Sequence, residues 1–283
     1  MLRARTLGPV VPKSNFEGHI HSSFDKACNI LCRDGALVTL TRPDCCALPN
    51  GIEIDLPLEF SFAKHINRGL PVGCRSRILR IQGHTDSIDL RNAEWVHGDY
   101  FRIGKRRSNI PNTYAYERVW RMIKQSSCFE ETITLHHHLS DALSPEHLKT
   151  GNAQDILSDL LGRGPGLTPA GDDIIVGYLA ASNQGNFAIV PMPFLSQEIL
   201  AARTSDISRH FINQAGAGWF ARPIVELVAS FTDFVQTEEL IQKCRVLLDQ
   251  GHTSGIATIM GILLGLTGDQ RIQVNQWPKH TSE

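Results

Sequence analysis

Little in this sequence points to a membrane, a nucleic acid or a nucleotide. Lys and Arg number 28 against 29 Asp and Glu, for a net charge of −1. No global field of either sign recruits nucleic acid or an anionic bilayer. The longest apolar stretch, residues 255–266, is too short to span a bilayer and is interrupted by glycine. The first residues carry arginines but no apolar core of signal-peptide length. These absences predict a soluble, cytoplasmic protein with no membrane or nucleic-acid partner. The cysteines (Cys28, Cys32, Cys45, Cys46, Cys74, Cys128 and Cys244) are odd in number and contain no C-x-x-C pair. Reduced thiols are expected, not a disulfide framework. Vicinal Cys45 and Cys46 read as two half-buried small apolar side chains. No P-loop, no G-x-G-x-x-G before a helix and no serine nucleophile elbow occurs, so no nucleotide-cofactor motif is present. There is no repeat of fixed period and no low-complexity tract.

What is present is a globular composition, 42% hydrophobic and 20% charged over 283 residues, ample for a real core. The texture changes along the chain. Residues 36–40, 52–56, 76–81 and 87–90 are short runs bounded by Gly, Pro and Asp, as strands are, with a turn at 83–86. Residues 22–32 read as a short helix with Phe24, Ala27 and Leu31 on one face. After residue 113 the period is helical, over 114–125, 145–161, 169–181, 194–203, 205–215, 223–231, 238–249 and 254–266. Residues 102–112, with Lys105, Arg106 and Arg107, read as a solvated linker. The expectation is an α+β protein. A β-rich region (residues 1–110), a small antiparallel sheet or barrel, precedes a mainly helical domain (residues 111–283) that carries the glycine-rich loops.

The densest signal is Gly162-Arg163-Gly164-Pro165-Gly166-Leu167-Thr168-Pro169-Ala170-Gly171-Asp172-Asp173, followed at once by an apolar helical run. Gly and Pro at this density fix a backbone course and let a ligand approach main-chain N–H groups. Thr168 reads as the helix N-cap, with Pro169 at the first helical position. Asp172 and Asp173 then fall in the first turn. They either complement the helix dipole, for at most about 1 kcal/mol, or hold a Mg²⁺ or polarise a substrate. Paired acids would repel a phosphate there unless a cation intervened.

Gly251-His252-Thr253-Ser254-Gly255 is a second glycine-bounded helix start. Thr253 or Ser254 can cap it, and with no acid in the first turn it reads as an anion cradle or as an ordinary turn between helices. Arg203, between two helical patterns, can grip a carboxylate or phosphate, or can complement its own helix end. His19 and His21 would share a face on a strand, a weak zinc signal without a third ligand. His136, His137 and His138 fall in what reads as a polar loop.

Together these blocks resemble the AllH-like family. Its signature is similar to Gly164-Pro165-Gly166-Leu167-Thr168-Pro169-Ala170-Gly171-Asp172-Asp173 with Gly177 after it. Arg203-Thr204-Ser205 and Gly251-His252-Thr253-Ser254-Gly255 follow in the family's order. Near the start, His21-Ser22-Ser23-Phe24 with Ala27 and Asn29 is similar to the family's opening block. The resemblance implies a subunit of an oxamate carbamoyltransferase of allantoin and purine catabolism, working beside AllF-like and AllG-like subunits. Its chemistry would be oxalurate plus phosphate giving oxamate and carbamoyl phosphate. It implies Asp172, Asp173 and Arg203 as catalytic residues. It also implies Gly164, Gly166, Thr168, Gly171, His252, Thr253, Ser254, Gly255, His21 and Ser22 as groups binding the anionic substrate or phosphate. One departure is Ala257, where many members carry an Asp. Two other readings remain. One is a Mg²⁺-dependent ADP-ribosyl-hydrolase-like enzyme, which would need a second acidic helix start that residues 251–255 lack. The other is a non-catalytic structural or regulatory subunit.

Overall fold

The computed structural model describes residues 1–103, 113–142, 153–182, 195–231, 236–251 and 253–267. The chain divides into two compact units. One comprises Met1–Arg102 with Trp219–Arg222, the other Ile103–Gly218 with Pro223–Glu283.

The first unit is a barrel. Its strands are β1 (Leu2–Leu7), β2 (Phe16–Ser23), β3 (Ala27–Cys32), β4 (Leu37–Thr41), β5 (Gly51–Ile54), β6 (Pro71–Arg75), β7 (Ile78–Ile81), β8 (Ser87–Asp89) and the short β9 (Glu94–Trp95). Strand β1 pairs antiparallel with β5 and parallel with β8 and β9, so the ring β1-β5-β4-β3-β2-β6-β7-β8 closes on itself. Closure leaves no long unpaired edge. The interior is filled by alternate strand positions, among them Leu7, Ile20, Ile30, Leu40, Ile52 and Leu79, all inaccessible to solvent. Each such side chain contributes about 1.5–3 kcal/mol by leaving water. A single helical turn, α1 (Phe62–His65), seats Phe62 in the same core. The α+β class expected from sequence is what the chain adopts, with a barrel as its β part.

Residues 22–32 are not a helix. They are the inner strands of the β2–β3 hairpin, whose turn is tied by the Phe24 amide donating to the Ala27 carbonyl. Nor do His19 and His21 share a face. A bulge between Ile20 and Ser22 breaks the alternation, so His19 is exposed while Ile20, His21 and Ser22 are all buried. The strand expected at residue 76 starts at Ile78. Ser76 and Arg77 form the two-residue turn before it, with φ of 50° and 62°.

The barrel unit also includes Trp219–Arg222, a tetrapeptide distant in sequence. The Phe220 amide donates to the Phe101 carbonyl (2.9 Å) and the Arg222 amide to the Ala47 carbonyl (3.1 Å). The Arg102 guanidinium lies 3.9 Å from the centre of the Trp219 ring.

The second unit is helical. Its helices are α2 (Thr113–Ile123), α3 (Phe129–Ala142), α4 (Ala153–Leu160), α5 (Ala170–Ser182), α6 (Gln197–Arg203), α7 (Asp206–Gly216), α8 (Arg222–Ser230), α9 (Thr237–Leu248) and α10 (Ser254–Thr267), with α8 beginning at the last barrel-unit residue. Residues 136–138 belong to α3 and not to a loop. His136 is inaccessible, and burial lowers its pKa to about 4, with His137 adding a smaller push. The linker residues 104–112, the expected helix start at 145–152 and His252 lie outside the described residues.

Helices α5 and α10 form the centre. Position 177 lies against 258 and 262, position 261 against 174 and 178, and 265 against 181, so the two helices run parallel with both N-termini at one end. They approach backbone to backbone. A Cβ on Gly177 would lie 2.0 Å from the Thr258 carbonyl oxygen, and one on Gly261 would lie 2.0 Å from that of Ile174. Any side chain at either position would force the helices apart.

Candidate functional site

Because α5 and α10 are parallel, the glycine-rich loop before α5 and the turn before α10 meet at the same end. Thr168 and Ser254 place their hydroxyl oxygens 2.8 Å apart. Helix α5 begins one residue later than expected. The Pro169 carbonyl accepts from the amides of Asp172 (2.9 Å) and Asp173 (3.2 Å). Pro169 is thus the first acceptor, and the Thr168 hydroxyl is turned toward the second helix. Thr253 plays the equivalent backbone part in α10, accepting from the Ala257 amide at 3.0 Å.

The third block converges on the same place. Thr204, after the last residue of α6, donates its hydroxyl to Asp172 Oδ2. Ser205, the N-cap of α7, accepts from the Ser208 amide (3.1 Å) and donates to the Leu167 carbonyl. The other oxygen of Asp172 accepts from the Gly162 amide at 2.8 Å. Asp172 is 1% exposed. Burial pushes its carboxyl upward, and the donations from Thr204, Gly162 and Ser208 pull it down again. Asp172 is therefore a clamp that ties both ends of the loop to the α6–α7 turn.

Asp173 differs. Helical rotation carries it about 100° away from Asp172, toward α10. Its Oδ2 is buried and has no hydrogen-bond partner among the described residues. Burial raises its pKa well above the ordinary carboxylate value. The Ser254 hydroxyl works against the rise, and the neighbouring Asp172 adds to it. The fold thus holds a carboxyl group that favours its proton, beside a hydroxyl, where the positive ends of two helix dipoles converge.

The other expected site residues divide. Gly164 and Gly166, with φ of 114° and 95°, form the exposed crest of the loop. Gly171 and Gly255 serve packing: a Cβ on Gly171 would meet the Leu160 carbonyl oxygen at 2.0 Å, and one on Gly255 that of Leu247 at 1.9 Å. The turn before α10 is accordingly no open cradle, since the end of α9 fills one side of it. The Arg203 guanidinium is half exposed and lies 3.6 Å from Asp159. His21 and Ser22 belong to the barrel unit, in a chain of polar side chains. His21 Nδ1 lies 3.2 Å from Ser22 Oγ, Asn29 donates to Ser22 (3.0 Å), Thr39 donates to Asn29 (2.9 Å), and Asn50 donates to Thr39 (3.2 Å). Thr204 and Ser205 were visible in sequence only as neighbours of Arg203, yet their hydroxyls hold the loop. All seven cysteines are free. Among the described residues no group of three His, Cys, Asp or Glu side chains converges, and no helix is long and apolar enough to cross a membrane.

Comparison with known families agrees with the blocks that meet here. Residues 160–266 match the family described as oxamate carbamoyltransferase subunit AllH, and residues 4–95 match the AllH family N-terminal domain. No solved structure matches the chain. The two matches cover most of the sequence, one falling on each kind of architecture, and the chain belongs to the AllH family.

Proposed function

We propose that this chain is a working subunit of an oxamate carbamoyltransferase and that its chemistry takes place where α5 and α10 begin. The observation that carries the reading is Asp173, a carboxyl with one buried oxygen that has no partner among the described residues, at the meeting point of three separate sequence blocks. In the direction of oxalurate breakdown, a phosphate oxygen attacks the carbamoyl carbon. The C–N bond to the oxamate nitrogen then breaks, and that nitrogen must gain a proton. A carboxyl whose hold on its proton is strengthened by burial suits that donation, and its conjugate base suits the reverse reaction. The Thr168 and Ser254 hydroxyls offer donors to the anionic groups. Arg203, in a surface ion pair with Asp159, can exchange Asp159 for a substrate carboxylate at little cost. Asp172 and Asp173 are the residues that would hold a Mg²⁺, which would supply positive charge to the phosphate; the Gly162 and Thr204 donors already take up part of the acceptor capacity of Asp172. Partner subunits of the AllF-like and AllG-like kinds and a place in allantoin catabolism belong to the same proposal.

The test is carbamoyl phosphate formation from oxalurate and phosphate, with the partner subunits present. Asp173→Asn keeps the shape and removes the transferable proton. Its kcat is expected to fall about a hundredfold or more, roughly 3 kcal/mol of transition-state stabilisation, with the melting temperature nearly unchanged. Wild-type turnover in Asp173→Asn would leave the subunit a structural role only.

A further inference from the structure

The helical unit contains a second polar cavity, between α2 and α9, that the proposed reaction does not use. Its volume is about 640 Å³. Arg118, Arg121 and Met122 share one stripe of α2, at spacings of three and four residues, and Gln125 follows in the turn after it. Ile241, Arg245 and Leu248 do the same on α9. Ser126 and Ser127 close one end. The side chains are of two kinds, three guanidinium groups and an apolar patch made by Met122, Ile241 and Leu248.

The charges are only partly answered within the chain. Glu117 lies 3.6 Å from Arg121, across exposed surface. Arg245 has no ion-pair partner among the described residues, and Arg118 Nε is buried without an acceptor among them. A buried guanidinium donor with no acceptor is costly, and a bidentate oxyanion relieves that cost. Three cations less one carboxylate leave a surplus near two positive charges. A monocarboxylate such as oxamate matches half of that, whereas a phosphate monoester carries about −1.5 to −2 at neutral pH. A bare phosphate would occupy a small part of the space. Cavities of roughly 300–1,000 Å³ take whole small molecules, and the apolar patch needs something to cover it.

We propose that the α2–α9 cavity is a binding site for a small phosphorylated molecule with an apolar or planar body. Arg118, Arg121, Gln125, Ser126 and Ser127 all lie between the two stretches that match the family. The other wall, with Ile241, Arg245 and Leu248, lies within the matched stretch, and the site suits a ligand that modulates the enzyme or is carried by it.

Calorimetric titration of the full chain with adenosine monophosphate, pyrophosphate and inorganic phosphate, at fixed ionic strength, tests this. The expected result is one saturable adenosine monophosphate site per chain. Adenosine monophosphate should bind more tightly than phosphate, and Arg245→Gln and Arg118→Gln should each weaken it about tenfold or more. Arg245 is exposed, so its replacement leaves the fold intact, and oxalurate turnover is expected to stay normal in Arg245→Gln. Ser254→Ala, at the substrate site where phosphate also binds, should not change the adenosine monophosphate titration. Three outcomes overturn the proposal: no saturable adenosine monophosphate binding, equal binding of it by wild type and both arginine variants, or its binding lost in Ser254→Ala. If the arginines instead capture an acidic partner subunit while all three probes fail, the cavity is an interface and the small-molecule site is wrong.

Discussion

In the barrel, Ser22, Asn29, Thr39 and Asn50 pass hydrogen bonds from strand to strand, and all four are neutral at any accessible pH. In the helical unit, Asp172, Asp173, His136 and His210 are withdrawn from water, and all four titrate. Both units bury polarity, yet they respond to different stresses. Neutral polar groups inside a closed barrel need only their partners. Ionisable groups inside a helical bundle tie the fold to proton concentration as well, and they are where perturbed chemistry is available to a substrate.

The largest test of that contrast is Asp172→Ala. It strands the Gly162 amide and the Thr204 hydroxyl, each bonded to a carboxylate oxygen. At roughly 1.5–3 kcal/mol per charge-assisted bond, the helical unit should lose about 3 kcal/mol or more. Hydrogen exchange followed by peptide mass spectrometry resolves the two units. Protection should collapse in the helical peptides and hold in the barrel, and equal loss in both would break the comparison.

Acid is the next test. The pKa of His136 is lowered by burial from 6.5 to about 4, and so is that of His210. The unfolded chain takes up protons that the folded one refuses. Stability present above pH 6.5 is therefore lost as pH falls toward 4, on the order of 3 kcal/mol for a fully buried ring such as His136. Asp173 has the opposite sign. Its raised carboxyl keeps a proton that the unfolded chain surrenders, so its contribution is present at low pH and is lost as pH rises through the raised value. Between about pH 4 and pH 6.5 the two signs oppose each other, so single variants separate them: Asp173→Asn should remove the loss of stability on the alkaline side, and His136→Gln the loss on the acid side. An alkaline slope unchanged in Asp173→Asn, or an acid slope unchanged in His136→Gln, would contradict the corresponding assignment.

The smallest effect is expected in the barrel. Thr39→Val removes one neutral link between Asn29 and Asn50, and it should cost about 1 kcal/mol by the same amount at neutral and mildly acidic pH. A strong pH dependence in that difference would show that His21, at the far end of the network beside Ser22, is coupled to Thr39, and would blur the contrast.

Much of this arrangement was legible in the residues. The strands bounded by Gly and Pro, the helical period after residue 113 and the glycine-bounded start of the last helix all act through local geometry. The β2–β3 hairpin was hidden because its turn is Asp25 and Lys26, with no Gly, Pro or Asn to mark it. Ala27 and Leu31, four apart, imitate one face of a helix. Helix α3 was hidden because Thr132, His136, His137 and His138 interrupt its apolar period. Within the site, the motif gave the loop and the helix start but not the division of labour between the two acids. That division depends on partners brought in by tertiary structure: Thr204, 32 residues beyond Asp172, and Ser254 on another helix. Adjacent residues on a helix face different neighbours, and nothing in Asp-Asp itself says which neighbour comes first.

The tetrapeptide Trp219–Arg222, counted with the barrel, bears on how the protein is made. A ribosome that has finished Arg102 has still to add 120 residues before Arg222 exists to donate its amide to Ala47. At about 5–20 residues per second that is a delay of roughly 6–24 s. During it the nascent barrel lacks Trp219 over Arg102 and the bond at Ala47. A fragment cut after residue 102 is frozen in that unfinished state, so its behaviour describes a biosynthetic intermediate and not the mature unit.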